Sequence, residues 1–204
     1  MTLKKIYIVR HGQTAYNLKG IVQGRSINAD LNQTGRDQAE SFFQAYKDQR
    51  FDRVITSSLK RTHQSVQKFL DYNDNWEIES GFDEISWGKF DGEKITEDHE
   101  YWEVLKKWNA GQTDFRIEDG ESPEDVKIRQ QEAWERCVLE GGSETETILL
   151  CMHGRALRVL LATLSGKSLQ HMDDYKHANL GLYIVETNGT KNKISGMFEE
   201  HLTI

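Results

Sequence analysis

The 204-residue sequence has two cysteines and one proline. Two cysteines without a spaced pattern build no disulfide framework. Cys151 lies within an apolar run and reads as a buried free thiol. Pro123 stands alone, and no Gly/Ser-rich tract, repeat or low-complexity segment accompanies it, so nothing divides the chain; a single domain over 1–204 is expected. No apolar run approaches the roughly 18–20 residues that cross a bilayer, and no signal-like apolar stretch follows Met1-Thr2-Leu3-Lys4-Lys5. A cytoplasmic protein with no membrane partner is the expectation. Positive charge is also scarce, with 26 Lys and Arg against 33 Asp and Glu and a net charge of -7. That balance argues against nucleic acid as the main partner. An anionic small molecule would need a local cluster of arginines.

Hydrophobic residues make up 37% of the chain and include five Trp, seven Tyr and eight Phe, enough for a core without covalent staples. Ile6-Tyr7-Ile8-Val9 and Thr147-Ile148-Leu149-Leu150-Cys151-Met152 are continuous apolar runs, the pattern of parallel strands buried on both faces. Phe51-Asp52-Arg53-Val54-Ile55 reads as a further short strand. Helical spacing occurs at Ala39, Phe42, Phe43 and Tyr46, with Thr34 and Asp37 as its capping start. It recurs at Leu59, Thr62, Val66, Phe69 and Leu70, and at Leu157, Leu160, Leu161 and Leu164. Ser122 followed by Pro123 and Asp125 opens a helix that runs to about Gly141-Gly142. Leu182 to Val185, Asn188-Gly189 and Ile194 to Phe198 form a hairpin pattern. Its apolar edge leaves a homodimer open. Residues 81–120, rich in Gly, Trp and acidic residues with one helix near Tyr101–Trp108, read as an insertion over a crevice. The expected architecture is a three-layer α/β/α sandwich. Its sheet is mostly parallel, with an antiparallel edge and a small helical cap.

Each of the two long strands ends in a His-Gly pair, Arg10-His11-Gly12 and His153-Gly154-Arg155. Ligands of open α/β sheets bind outside the carboxyl ends of the strands, so adjacent strands would bring His11 and His153 to one crevice. A neutral imidazole is a nucleophile able to carry a covalent intermediate. Arg10 presents a rigid fork of donors to phosphate oxygens, and Gly12 would let backbone approach an oxyanion. His153 is a candidate donor to a phosphoryl oxygen. Ser57-Ser58-Leu59-Lys60-Arg61 opens a helix whose N-terminus could face an anion, with Arg61 a second guanidinium; taken alone, plain capping by Ser57 or Ser58 with a surface Arg61 is the favoured reading. A metal held by His11 and His153 is disfavoured, because no local ligand cluster surrounds them.

Arg10-His11-Gly12-Gln13-Thr14 with Asn17 resembles the signature of the histidine phosphatase superfamily, the phosphoglycerate-mutase-like proteins. The resemblance continues in order through Gln23-Gly24, Leu31 to Gly35, Ser57 to Arg61, Glu84 to Gly92, Gly120-Glu121-Ser122 and His153-Gly154. It implies a phosphatase acting without cofactor or metal on a small phosphorylated metabolite. His11 would become phosphohistidine. Arg10, Arg61, His153 and Gly154 would hold phosphoryl oxygens, with further contacts from Asn17 and Gln23. Glu84 would protonate the leaving oxygen, the neighbouring Asp83 being the other acid within reach. The alternatives are a bisphosphoglycerate-dependent phosphoglycerate mutase, disfavoured because the longer substrate-binding segments of dedicated mutases are missing, and a non-catalytic binding protein on the same fold.

Two departures stand out. Thr62-His63-Gln64-Ser65 replaces the family's Ala and Gln-Thr, and His63 reads as packing or surface. Arg155 occupies a position where the family often has a small residue. It either adds charge to the rim or faces solvent, and solvent is favoured. The aromatic residues Trp87, Tyr101, Trp102 and Trp108 are expected to pack the cap.

Overall fold

A computed structural model of the chain describes residues 3–199; residues 1–2 and 200–204 of the expected unit lie outside them. Among the described residues the strands are β1 (Leu3–Arg10), β2 (Arg53–Thr56), β3 (Trp76–Ile78), β4 (Thr145–Met152), β5 (Leu182–Thr187) and β6 (Asn192–Phe198). They form one sheet in the order β3-β2-β4-β1-β5-β6. The β3–β2, β2–β4 and β4–β1 pairs are parallel, and β1–β5 and β5–β6 are antiparallel. The helices are α1 (Ala15–Lys19), α2 (Gln33–Tyr46), α3 (Lys60–Leu70), α4 (Tyr101–Asn109), α5 (Pro123–Ala133) and α6 (Gly154–Leu164).

The period-two alternation of the central strands divides the apolar residues between the sheet's faces. Ile6 and Ile8 of β1 and Ile148, Leu150 and Met152 of β4 pack with α5, α6 and the cap. Tyr7, Val9, Leu149 and Cys151 face the other way, onto Phe42 of α2 and Val66 and Phe69 of α3. The result is the expected three-layer, mostly parallel α/β architecture. The 81–120 segment contains a 3₁₀ turn at Gly88–Phe90 and α4. Its Trp87, Phe90, Val104, Trp108 and Ile117 join the same apolar cluster as α6, so the cap is tied to the body through shared core. Trp102 is exposed.

Local chemistry sets the helix starts. Ser122 and Asp125 form a reciprocal capping box, with Pro123 at the first helical position. Beyond Ala133 the helix continues as a π-helical stretch, Trp134–Glu140, which stops at Gly141. α2 begins earlier than the Thr34 reading: Asn32 is its cap, accepting from the Gly35 N–H at 2.8 Å. Thr34 and Asp37 lie inside the helix. The Asx side chain won because its carbonyl reaches the first-turn N–H from an extended backbone. Two elements carried no sequence signal, the single turn and a half of α1 and the three-residue edge strand β3.

Candidate active site

The strand register places Arg10 opposite Met152, so the two His-Gly corners leave the sheet side by side. The His11 and His153 rings are 5.2 Å apart, tilted by 57°. Above them lies a cavity of about 150 Å³, lined by Arg10, His11, Asn17, Gln23, Glu84 and Gly154 among the expected residues. Ile21, Val22, Trp87, Ile95, Tyr101, Arg155 and His177 complete the wall.

His11 Nδ1 lies 2.7 Å from the carbonyl oxygen of Gly12. A carbonyl only accepts, so in the neutral ring Nδ1 carries the proton and Nε2 keeps its lone pair. Nε2 has no hydrogen-bond partner among the described residues. Burial, and then the charges of Arg61 and Arg10, hold the ring's pKa well below the ordinary histidine value. The imidazole is therefore neutral, in the tautomer that leaves Nε2 free.

Arg10 donates from Nη1 to Nδ1 of His177 at 3.0 Å. Its Nε is buried without a partner. Burial, only partly offset by Glu84, lowers the guanidinium's pKa to about 10. A buried, unpaired donor on a cation is costly unless an anion joins it. Gly154 is required at its position because a Cβ there would meet the His177 ring at 3.0 Å and Arg10 Nε at 3.2 Å.

Glu84 projects into the cavity, whereas Asp83 does not line it. Asp83 accepts from Ser58 N and Oγ, both at 2.8 Å, and from Arg25 Nε at 3.2 Å. Oε1 of Glu84 accepts from the N–H of Ile85 and of Ala156, both at 2.9 Å, and Oε2 from the N–H of Arg155 at 3.1 Å. The first turn of α6 thus fixes the carboxyl.

Arg61 and His153 are fully buried below the cavity floor. Arg61 donates from Nε to His153 Nδ1 at 3.1 Å and from Nη1 to Ile27 O at 2.6 Å. Burial again lowers its pKa to about 10, against the pull of Glu84 and Asp83. His153 Nε2 is 2.7 Å from Ser57 Oγ. With Nδ1 accepting from Arg61, His153 is neutral, and burial and then Arg61 hold its pKa well below the ordinary value. Gln23 bridges Thr14 Oγ1 (2.6 Å) to Arg61 Nε (3.2 Å) and Nη1 (3.1 Å). Asn17 Oδ1 caps α1 by accepting from Thr14 N at 3.1 Å, and Asn179 Nδ2 lies 3.4 Å from the same oxygen.

Two expectations need correction. Gly12 does not offer its backbone to an oxyanion: its N–H donates to Ser65 Oγ at 2.8 Å. Its missing Cβ makes room for Gly35 O, 2.7 Å from where the atom would stand. At the start of α3, in keeping with the local reading favoured there, Ser57 Oγ accepts from the Leu59 N–H and Asn28 Oδ1 from that of Lys60. Arg155 does not face solvent. It is 6% exposed, ion-paired to Asp173, and set over Trp87 and Trp108 at 6.0 and 5.8 Å. His63 does pack, edge-on to Trp76 at 5.2 Å.

His177 is the residue sequence reading missed. It lies in an irregular segment before β5 with no motif around it. Among the described residues, no group of three or more His, Cys, Asp or Glu side chains is arranged to hold a metal ion, and no helix is long and apolar enough to cross a membrane.

Known proteins resemble this chain in sequence and fold. Over 91% of its length the chain is 29% identical to the probable 2-carboxy-D-arabinitol-1-phosphatase of Arabidopsis thaliana, of whose own length it spans only 38%. It is 32% identical over 167 residues to the probable phosphoglycerate mutase GpmB of Yersinia enterocolitica, covering 79% of this chain and 75% of that one. Among solved structures, the phosphoserine phosphatase of Entamoeba histolytica in complex with 3-phosphoglyceric acid superposes with a TM-score of 0.81. The identity is 22%, over 98% of this chain and 99% of that one; at that identity the likeness speaks for the fold. The family model of the histidine phosphatase superfamily (branch 1) matches residues 6–200, and with the paired His-Gly corners at the head of a matching sheet, the chain belongs to that superfamily.

Proposed function

We propose that the chain is a phosphomonoester hydrolase that works through a phosphohistidine on His11, with a small organic phosphate as substrate. The observation that carries this reading is the tautomer of His11 set by Gly12 O, with Nε2 free in a cavity that Arg10, whose Nε is unpartnered, also lines. In the first step Nε2 attacks phosphorus in line, the N–P bond forms and the P–O bond to the alcohol breaks. The leaving oxygen takes a proton from Glu84. In the second step Glu84 takes a proton from water, the resulting oxygen attacks phosphorus, the N–P bond breaks, and orthophosphate leaves with His11 restored.

Oε2 of Glu84 has one N–H partner where Oε1 has two, so Oε2 has the vacant lone pair for this proton. Arg10 would bind phosphoryl oxygens directly. Glu84 occupies the N–H groups of Arg155 and Ala156, which leaves that of Gly154 as the α6 donor facing the cavity. Arg61 would act from beneath as a buried positive charge, strengthened by its low-dielectric surroundings, with His153 holding it in line. Asn17 and Gln23 would contribute through their amides at the cavity wall.

The likeness to a probable mutase favours one second reading, in which the phosphoryl group passes to another acceptor rather than to water. Replacement of His11 by Ala tests the nucleophile: turnover of p-nitrophenyl phosphate is expected to fall by roughly 10³-fold or more with the melting temperature retained. Full activity in a folded H11A protein would remove His11 from the mechanism.

A further inference from the structure

Arg155 is a buried cation that the reaction steps do not use. Arg155 lines the same cavity as His11 and Glu84. Its own backbone N–H holds Glu84 Oε2 at 3.1 Å. Under the proposed mechanism Glu84 stands beside the leaving oxygen, and Arg155 lines the cavity next to it. Its single ion-pair partner is shared: Asp173 Oδ1 also accepts from Arg158 Nη1, at 2.6 Å. Two guanidinium groups thus share one carboxylate, and the other neighbours of the Arg155 side chain, the Tyr101 side chain and the rings of Trp87 and Trp108, bring no negative charge. Trp87, Tyr101, Ile21 and Ile95 surround the cavity, and in such a setting a cation that shares its carboxylate gains from a second anion. His177 stands on the same wall. Because its Nδ1 accepts from Arg10, the proton of the neutral ring is on Nε2, a second donor facing the cavity.

Resting on the phosphomonoesterase reading, we propose that Arg155 is the specificity residue of this pocket and that the alcohol part of the substrate carries a carboxylate, which Arg155 binds. A planar carboxylate matches the guanidinium fork. The cavity, about 150 Å³ in all, suits a phosphate ester on a body of a few carbon atoms, a short phosphorylated hydroxy acid. A second phosphate would bring more charge and bulk than this wall balances.

Two probes that differ only at this group are D-3-phosphoglycerate and sn-glycerol 1-phosphate. The wild-type enzyme is expected to hydrolyse the acid with the higher kcat/KM. Arg155→Met should lower kcat/KM for the acid by roughly 10- to 150-fold while changing the neutral ester by less than about threefold, and Arg155→Lys should recover part of the loss. Asp173→Asn, which removes the competing carboxylate, should raise the preference for the acid, and it keeps the test open should Arg155→Met fail to fold. Equal loss on both esters in Arg155→Met, or an acid preference that Asp173→Asn does not raise, would overturn the assignment and leave Arg155 a packing residue. Hydrolysis of neither ester would count against the phosphatase reading itself. Calorimetric binding of the two esters then still decides the role of Arg155, because only a carboxylate-binding residue makes the acid bind more tightly in the wild-type protein and not in Arg155→Met.

Discussion

The chemistry turns on which atom of each side chain is left without a partner. His11 spends Nδ1 on Gly12 O, Glu84 uses three backbone N–H groups to fix its carboxyl, and Arg10 keeps Nε open. Glu84→Gln keeps these contacts in outline but cannot deliver a proton. It should therefore slow hydrolysis of an alkyl phosphate by about 10²- to 10⁴-fold and that of p-nitrophenyl phosphate far less, because nitrophenolate leaves without help. Equal losses on both substrates, measured as kcat, would mean that Glu84 positions the substrate and does not protonate it. Most of these residues were legible in the sequence because each belongs to an ordered motif at a strand or helix end. The fate of Arg155 and the role of His177 were not. Whether Arg155 points outward or under Trp87 and Trp108 depends on how the cap seats on α6, which no local pattern encodes.

At the level of elements, the sheet holds the site at one end and a buried ionic cluster at the other. Near the start of β4, Glu146 accepts from Arg53 Nε at 2.7 Å and from Arg53 Nη2 at 2.8 Å, and lies 3.5 Å from Lys4 Nζ. Lys4 also donates to Gly141 O, and Arg53 to Glu77 at 2.8 Å. All three of Lys4, Arg53 and Glu146 are buried. Glu146→Ala would leave two buried cations short of a partner, a cost of about 3–5 kcal/mol to be read from urea unfolding. The protein that remains folded should keep its turnover number, since the cluster sits at the opposite ends of β1 and β4 from Arg10 and Met152. A loss under 1 kcal/mol would show that water reaches these charges. In the sequence β1 and β4 were readable as continuous apolar runs, β2 as a short strand and β5–β6 as a hairpin. β3 was not, because Trp76-Glu77-Ile78 is three residues whose strand identity comes only from pairing with β2.

Across the whole molecule, an acidic chain of net charge -7 encloses a basic pocket, and the pocket's histidines link folding to pH. Burial, and then Arg61 and other neighbours, keep His11 and His153 neutral well below the ordinary pKa; burial followed by Arg10 and Arg158 brings His177 down to about 2. Below the unfolded-state value of about 6.5 the unfolded chain binds protons at these positions and the native protein does not. Their contribution is therefore level above about pH 7. It becomes increasingly destabilising as pH falls from 6.5 toward the folded values, by up to about 1.4 kcal/mol per pH unit for each ring. Melting temperature should drop steadily from pH 7 to pH 5, and less steeply in His177→Phe. A flat profile over that interval would mean that the rings titrate alike in both states.

The most direct measurement is to mix the enzyme with p-nitrophenyl phosphate, quench within milliseconds in alkali, where a phosphoramidate survives, and map the peptides by mass. A single phosphoryl group on the peptide containing His11, formed and lost at rates matching turnover and missing in His11→Ala, is the predicted result. Continued turnover with no phosphoryl group on His11, or with the label on another side chain, would contradict it.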